Sequence, residues 1–232
     1  MTGLMRILAK WHIWLGWLIG VPIAMWTASG LLMVAKPIEE VRGEHLRVEQ
    51  PDIALPPSNP MPITLQLENA PPIRSYETRM QEERAVTFLT HMDGRVERYD
   101  AGTARLIEPL DATEARELVA RQIIGGTDVA SVRLFDADAV PFDFRRPVPV
   151  WQVALADGTH VYVGRDTGEI EAVRTRWWRW FDVAWGLHIM DLDEREDTSH
   201  PVLIAFAALA LAGSVLGIVL LFRRRRARVR AR

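Results

Sequence analysis

Three histidines and two glycine pairs are the residues of this chain best suited to chemistry. His12 lies in an otherwise uncharged apolar run. An ionisable group inside such a run is a functional candidate by default, because burying it in hydrocarbon is costly. Gly16 and Gly20 follow His12 at steps of four, so the three share one helical face. Small residues on that face let a second helix or a flat ligand come close. His12 is therefore a candidate ligand for a metal or a haem iron. It also fits an interfacial histidine beside Trp11 and Trp14, or a partner in a helix–helix hydrogen bond. Gly213 and Gly217 form a matching pair near the other end of the chain. His188 and His200 bracket Asp191, Asp193, Glu194, Glu196 and Asp197. Carboxylates with histidine can hold a divalent cation, although a solvated acidic turn is the commoner use of such a run.

Other chemistries are poorly served. There is no cysteine, hence no disulfide framework, thiolate site or thiol nucleophile. Ser58, Ser75, Ser131, Ser199 and Ser214 lack a nucleophile-elbow context. His91 and His160 fall at expected hairpin ends and read as turn or surface residues. No catalytic residue is expected, and the chain reads as a non-enzyme.

The elements that position these residues follow from hydropathy. Trp11–Ala35 and Pro201–Phe222 are apolar and carry no formal charge. Each exceeds the roughly 20 residues that a helix needs to cross a bilayer. The first is too long for the core of a signal peptide, so it reads as a retained anchor. Arg6 and Lys10 precede the first run, and seven arginines from Arg223 to Arg232 follow the second. Basic flanks stay cytoplasmic, which predicts both termini inside and residues 36–200 outside. That middle holds 19 basic and all 30 acidic residues, a formal charge of −11. Binding to nucleic acid or to anionic lipid is thereby disfavoured for the middle. The arginine tail is a topology signal first, and contact with anionic lipid heads follows from the same charge.

Residues 36–82 hold most of the prolines and read as an extended connector. A domain is expected over 83–175. Asp111 and Glu114 form a capping-box pattern at the start of a helix over Asp111–Ile124. Ala115, Leu118, Val119 and Ile123 give it one apolar stripe, and Gly125-Gly126 end it. A sheet follows. A three-residue loop, Ala156–Gly158, pairs Val153 with Val161 and Trp151 with Val163, which keeps one face apolar. A four-residue turn then pairs Val163 with Ile170. Asp93-Gly94, Thr103 and Leu106 each lie 64 residues before an equivalent in this meander. Val86–Ile107 therefore reads as a first copy, without a visible preceding helix. Residues 176–200 comprise an amphipathic interfacial helix rich in tryptophan and the acidic turn.

The run Trp151-Gln152-Val153-Ala154-Leu155, Val161-Tyr162-Val163 and Asp166-Thr167-Gly168-Glu169-Ile170, placed after an Ala/Leu-rich helix, resembles a PepSY domain. His12-Ile13-Trp14-Leu15-Gly16 with Thr27-Ala28-Ser29-Gly30 is similar to the first helix of PepSY-associated transmembrane proteins. Leu187-His188-Ile189-Met190-Asp191 through His200-Pro201 resembles the lead into the last helix of a two-span branch. Together these motifs cover most of residues 11–222. The resemblance implies a bacterial inner-membrane protein associated with siderophore and iron uptake. It also implies that some larger relatives carry haem and reduce iron, and that PepSY domains are often proposed to restrain proteases. This chain has only two spans and no GxGxxG motif, both of which weaken transfer of a reductase activity.

The expected fold class is α+β: a periplasmic PepSY-like antiparallel sheet with a covering helix, flanked by two transmembrane helices. The expected role is an accessory protein linked to iron uptake or a redox system, with no cofactor of its own assured. A haem b subunit, with His12, His188 or His200 as ligands, is the alternative. A module that restrains a periplasmic protease is a third. Membrane lipid, a membrane or periplasmic protein, and further copies of the chain are the expected partners. Both spans are expected to pack on each other, or on a second copy, through Gly16, Gly20, Gly213 and Gly217.

Overall fold

The computed structural model describes residues 3–56 and 72–230, with the side chains of 224–230 excepted. Two compact units emerge: Ile38–Trp178, and a second made of Met1–Pro37 with Arg179–Arg232. The class is mixed α and β, with two antiparallel four-stranded sheets, a central helix and two long apolar terminal helices.

In the first unit, α1 (Ile38–Val41) and a 3-10 turn over Glu44–Leu46 open the fold. Four strands follow in simple up-and-down order: β1 (Ile73–Gln81), β2 (Arg84–His91), β3 (Val96–Asp100) and β4 (Leu106–Ile107). Helix α2 (Ala112–Gln122) comes next. Its Asp111 cap accepts the amides of Thr113 and Glu114, while Glu114 accepts the amide of Asp111. The second sheet runs β5 (Val129–Phe135), β6 (Val150–Leu155), β7 (His160–Gly164), β8 (Ile170–Arg174), again in sequence order.

The expected register holds in the second meander. Val153 faces Val161, Trp151 faces Val163, and Val163 faces Ile170. Gly158 takes φ +82°, the left-handed value its loop requires. The duplicate is real in register too. Leu89 faces Glu97 and Tyr99 faces Leu106, each position 64 residues before its counterpart in the pairs Val153–Val161 and Val163–Ile170. Gly94, at φ +90°, matches Gly158.

Packing separates the two copies. Ala115, Leu118, Val119 and Ile123 of α2 seal one face of the second sheet over Val153, Val161, Val163 and Ile170. Burying each of the leucine, isoleucine and valine side chains is worth about 1.5–3 kcal/mol. The opposite face is covered by the chain between β5 and β6, where Phe144 stacks on Tyr162 with centroids 4.9 Å apart. Both faces of this sheet are therefore buried.

The connector departs from expectation. Order begins well before Glu83. Val41 is fully buried, Arg47 bridges to Ile123, and β1 already runs from Ile73. Of the expected extended stretch, residues 57–71 lie outside the described residues. The second unit holds α3 (Arg176–Ile189, whose first turn belongs to the first unit), α4 (Pro201–Arg230) and the N-terminal helix Gly3–Met33, designated αN. αN and the Pro201–Arg223 part of α4 are long and apolar enough to cross a membrane. Side-chain hydroxyls inside them bond back to the helix, Thr27 to the Ile23 carbonyl and Ser214 to the Ala210 carbonyl. That leaves neither hydroxyl donor orphaned in hydrocarbon.

Candidate functional site

The two spans pack antiparallel, with Met5 beside Arg223, His12 beside Gly217 and Ile19 beside Gly213. The more buried residues of αN recur at Met5, Leu8, His12, Leu15, Ile19 and Pro22. Those of α4 recur at Leu203, Phe206, Ala210, Gly213, Gly217 and Leu220. Alternating steps of three and four mark a coiled-coil seam. Gly213 and Gly217 lie in it for a steric reason. A Cβ on Gly217 would stand 2.9 Å from His12 Cε1, and one on Gly213 would stand 3.0 Å from Ile19 Cδ1. Gly16 and Gly20 do not lie in it, since nothing approaches within 4 Å of a Cβ built on either. Of the two contacts expected of them, with the other span or with a second copy, the one within the chain is absent, because the seam follows a 3.5-residue period. Steps of four from His12 drift off it by Gly16.

His12 occupies the end of this seam nearest the chain termini. Its Nδ1 is buried and has no hydrogen-bond partner among the described residues. His188 sits elsewhere. Its ring stacks on Trp26 at 4.7 Å, and its Nδ1 lies 3.1 Å from Ser29 Oγ and 3.2 Å from the Trp26 carbonyl. Gly30 lies against the same ring and leaves room for it. Ser29 lies seventeen residue steps along αN from His12, or about 25 Å of helix. One haem cannot be held between them within a single chain. His200 has its Nδ1 buried without a hydrogen bond among the described residues.

The acidic turn is occupied by its own folding. Asp191 accepts the amides of Asp197, Glu196 and Glu194, which hold its carboxyl below the usual carboxylate range. Asp182 pairs with Arg195 at 2.6 Å, and Trp185 Nε1 donates to the Arg195 carbonyl. Among the described residues, no three His, Asp or Glu side chains converge as a metal group would require.

A polar cluster that sequence reasoning passed over lies on the second sheet. Tyr162 is fully buried; its hydroxyl donates to Asp143 at 2.6 Å and accepts from Gln152 Nε2 at 2.7 Å. His160 Nδ1 stands 3.2 Å from the other Asp143 oxygen, and Arg174 Nε donates to the Asp143 carbonyl. Burial pushes Asp143 up, but the bonds from His160 and Tyr162 outweigh it and leave the carboxyl below its ordinary value. Burial, aided by Asp143, pushes the Tyr162 phenol far above its ordinary value. The phenol is thus a donor and no nucleophile, and the cluster pins the loop before β6. His91 is equally not a surface turn residue. It is 1% exposed and faces Glu97 at 3.5 Å. Alignment at the 64-residue offset was the available signal, because it sets Tyr162 opposite Arg98.

Arg98 is the counterpart that joins the sheets. It donates to Gln81 Oε1 and to the Glu108 carbonyl, and its guanidinium lies over Gly168. Gln81 in turn donates to the Thr167 and Gly168 carbonyls, and Arg79 pairs with Glu169.

Two apolar helices long enough to span a bilayer, and a separate double-meander α+β unit, are the features of a membrane protein with a folded domain. The chain belongs to the family described as the PepSY-associated TM region, whose model matches residues 9–232. No curated protein and no solved structure matches it.

Proposed function

We propose that this protein is a non-enzymatic accessory protein of the bacterial inner membrane. It holds both termini in the cytoplasm and displays its PepSY-like domain in the periplasm to a membrane or periplasmic partner of an iron-uptake or associated redox system. The observation that carries the reading is the use made of the outer polar groups. Asp191, Asp182 and Asp143 fold their own loops, and His188 fastens α3 to αN. They serve display rather than turnover. The antiparallel hairpin supports the topology, since it sets both basic flanks at one end. Reporter fusions test it. A periplasm-active reporter should work at residue 110 and fail at residue 232, and the reverse result overturns the orientation.

A second reading rests on His12. A buried ring nitrogen without a partner among the described residues, in a seam narrowed by glycine, would suit a ligand to the iron of haem b. Given the separation of about 25 Å from the outer level, a second protein ligand to that iron would come from His12 of a second copy or from another protein. The haem would supply electron transfer, and His12 would hold its iron. An absorbance spectrum of detergent-purified protein decides between the readings. A stoichiometric Soret band that disappears in His12→Ala replaces the accessory role with the haem role. A protease-restraining role is tested by adding the purified protein to periplasmic proteases.

A further inference from the structure

β1 is the edge of its sheet, nine residues long, and among the described residues no strand pairs with its outer side. Such an edge is a template for another strand unless it is guarded by proline, a bulge or inward-pointing charge. Neither proline nor bulge interrupts Ser75–Gln81, and the charge it turns inward, Arg79, is balanced by Glu169 of the second meander. The Gln81–Arg84 pair closes a two-residue turn. Alternation of the antiparallel ladder then turns the backbone groups of Tyr76, Thr78 and Met80 outward. The 2.8 Å bond between the hydroxyls of Thr78 and Thr87 agrees, because close side chains mark a pair without mutual backbone bonds.

The sequence of this edge is complementary to itself. Reverse it about Thr78, and Glu77 meets Arg79, Arg74 meets Glu82, Ser75 meets Gln81, and Tyr76 meets Met80. Moving the axis one residue either way sets Glu77 against Glu77 or Arg79 against Arg79. Like charges directly opposite are destabilising, and opposite charges favour pairing. Tyr76, 74% exposed in one copy, would gain the Met80 thioether of the other. Glu77, whose side chain is 70% exposed, already lies 3.6 Å from Arg79 of its own strand, so the pairing across the axis would extend that ion pair into a four-charge ladder.

We propose that β1 is a self-recognition edge. Two copies of the chain pair β1 to β1, antiparallel about a two-fold axis at Thr78, and join their first sheets into one of eight strands. The interface is isologous, so it closes at two copies and leaves no further edge of this kind exposed.

Absence of native cysteine makes the test direct. Thr78→Cys in the full chain, oxidised in its own membrane, should give a covalent dimer. Glu77→Cys and Arg79→Cys chains carrying different tags should cross-link to each other when co-expressed. Glu77→Arg in the Thr78→Cys background should lower the cross-linked fraction roughly five-fold, and Glu77→Arg with Arg79→Glu should restore it. Three results overturn the proposal. Thr78→Cys stays monomeric while Gly16→Cys cross-links, so that copies meet through their spans. Thr78→Cys bonds instead to a cysteine placed within residues 57–71 of its own chain. Or charge reversal leaves the yield unchanged.

Discussion

The two meanders share a register and differ in what covers it. In the second, α2 seals one face and the Phe144 loop the other, so its strands read Val-rich and its one inward hydroxyl, Tyr162, is bonded on both sides. In the first, no helix of the same kind precedes the strands among the described residues, and the positions matching the sealed face are Thr87, Leu89, His91, Glu97 and Tyr99. The two meanders therefore share hydrogen-bonding geometry while doing different work. The second became the packed core, and the first kept polar strands and an edge that remains open among the described residues.

The comparison breaks most sharply at α2. Leu118, 5% exposed in the second copy's core, has no described counterpart in the first. Leu118→Asp buries an unpaired charge and should destabilise the domain by several kcal/mol. Thermal unfolding checks this, and an unchanged midpoint would mean that α2 does not seal the sheet.

A smaller contrast pits Tyr162 against Arg98, its counterpart in register. Tyr162→Phe removes a donor from Asp143 and an acceptor from Gln152, at a cost of about 1–3 kcal/mol. Arg98→Met removes two hydrogen bonds but also a buried guanidinium that no carboxylate contacts among the described residues. Removing such a charge offsets part of the loss, so about 1 kcal/mol or less is expected. Denaturant titration of the two variants in parallel ranks them, and a reversed order would show that the sheet–sheet joint outweighs the core.

Acid sharpens the same contrast. Asp143 has its carboxyl depressed in the folded state. Its contribution is present above the ordinary value of 3.8 and is lost as pH falls through the depressed one. Stability should fall below about pH 4 in the native chain. The fall should be shallower in Tyr162→Phe, where one of the bonds that depress Asp143 is absent. Equal slopes would remove Asp143 from the account.

The mildest test uses the paired glycines. Gly94→Ala should cost roughly 1 kcal/mol, the penalty of a left-handed L-residue. Gly158→Ala should cost somewhat more, since its Cβ would stand 2.6 Å from Arg176 Nε and displace that side chain. Identical melting shifts would mean that the Arg176 contact yields freely.

Legibility followed the same division. Register in the second meander was readable because alternating valines and an Asp-Gly loop permit one pairing that keeps a face apolar. The helix was readable because Asp111 and Glu114 cap it reciprocally. β1 was not, because Arg74, Ser75, Tyr76, Glu77 and Thr78 carry no apolar alternation and follow a proline-rich run. Asp143 and His160 were hidden because their pairing depends on a loop folding back over the sheet, which no local period encodes. Gly16 and Gly20 misled for a geometric reason: the seam leaves His12 by a step of three, to Leu15 and then Ile19, so further steps of four from His12 fall outside it, whereas Gly213 and Gly217 occupy one of its four-residue steps.

His12 has one more consequence. A seam made only of aliphatic and small residues can slide by a heptad, about two turns, at little cost, since the layers recur at that interval. A single polar side chain at one layer ends that equivalence. The ring fits where Gly217 leaves a gap. Slipped by about two turns, it would meet Ala210 in one direction or the start of the arginine tail in the other. His12 thus acts as an index mark that tells the two spans how far along each other to stop.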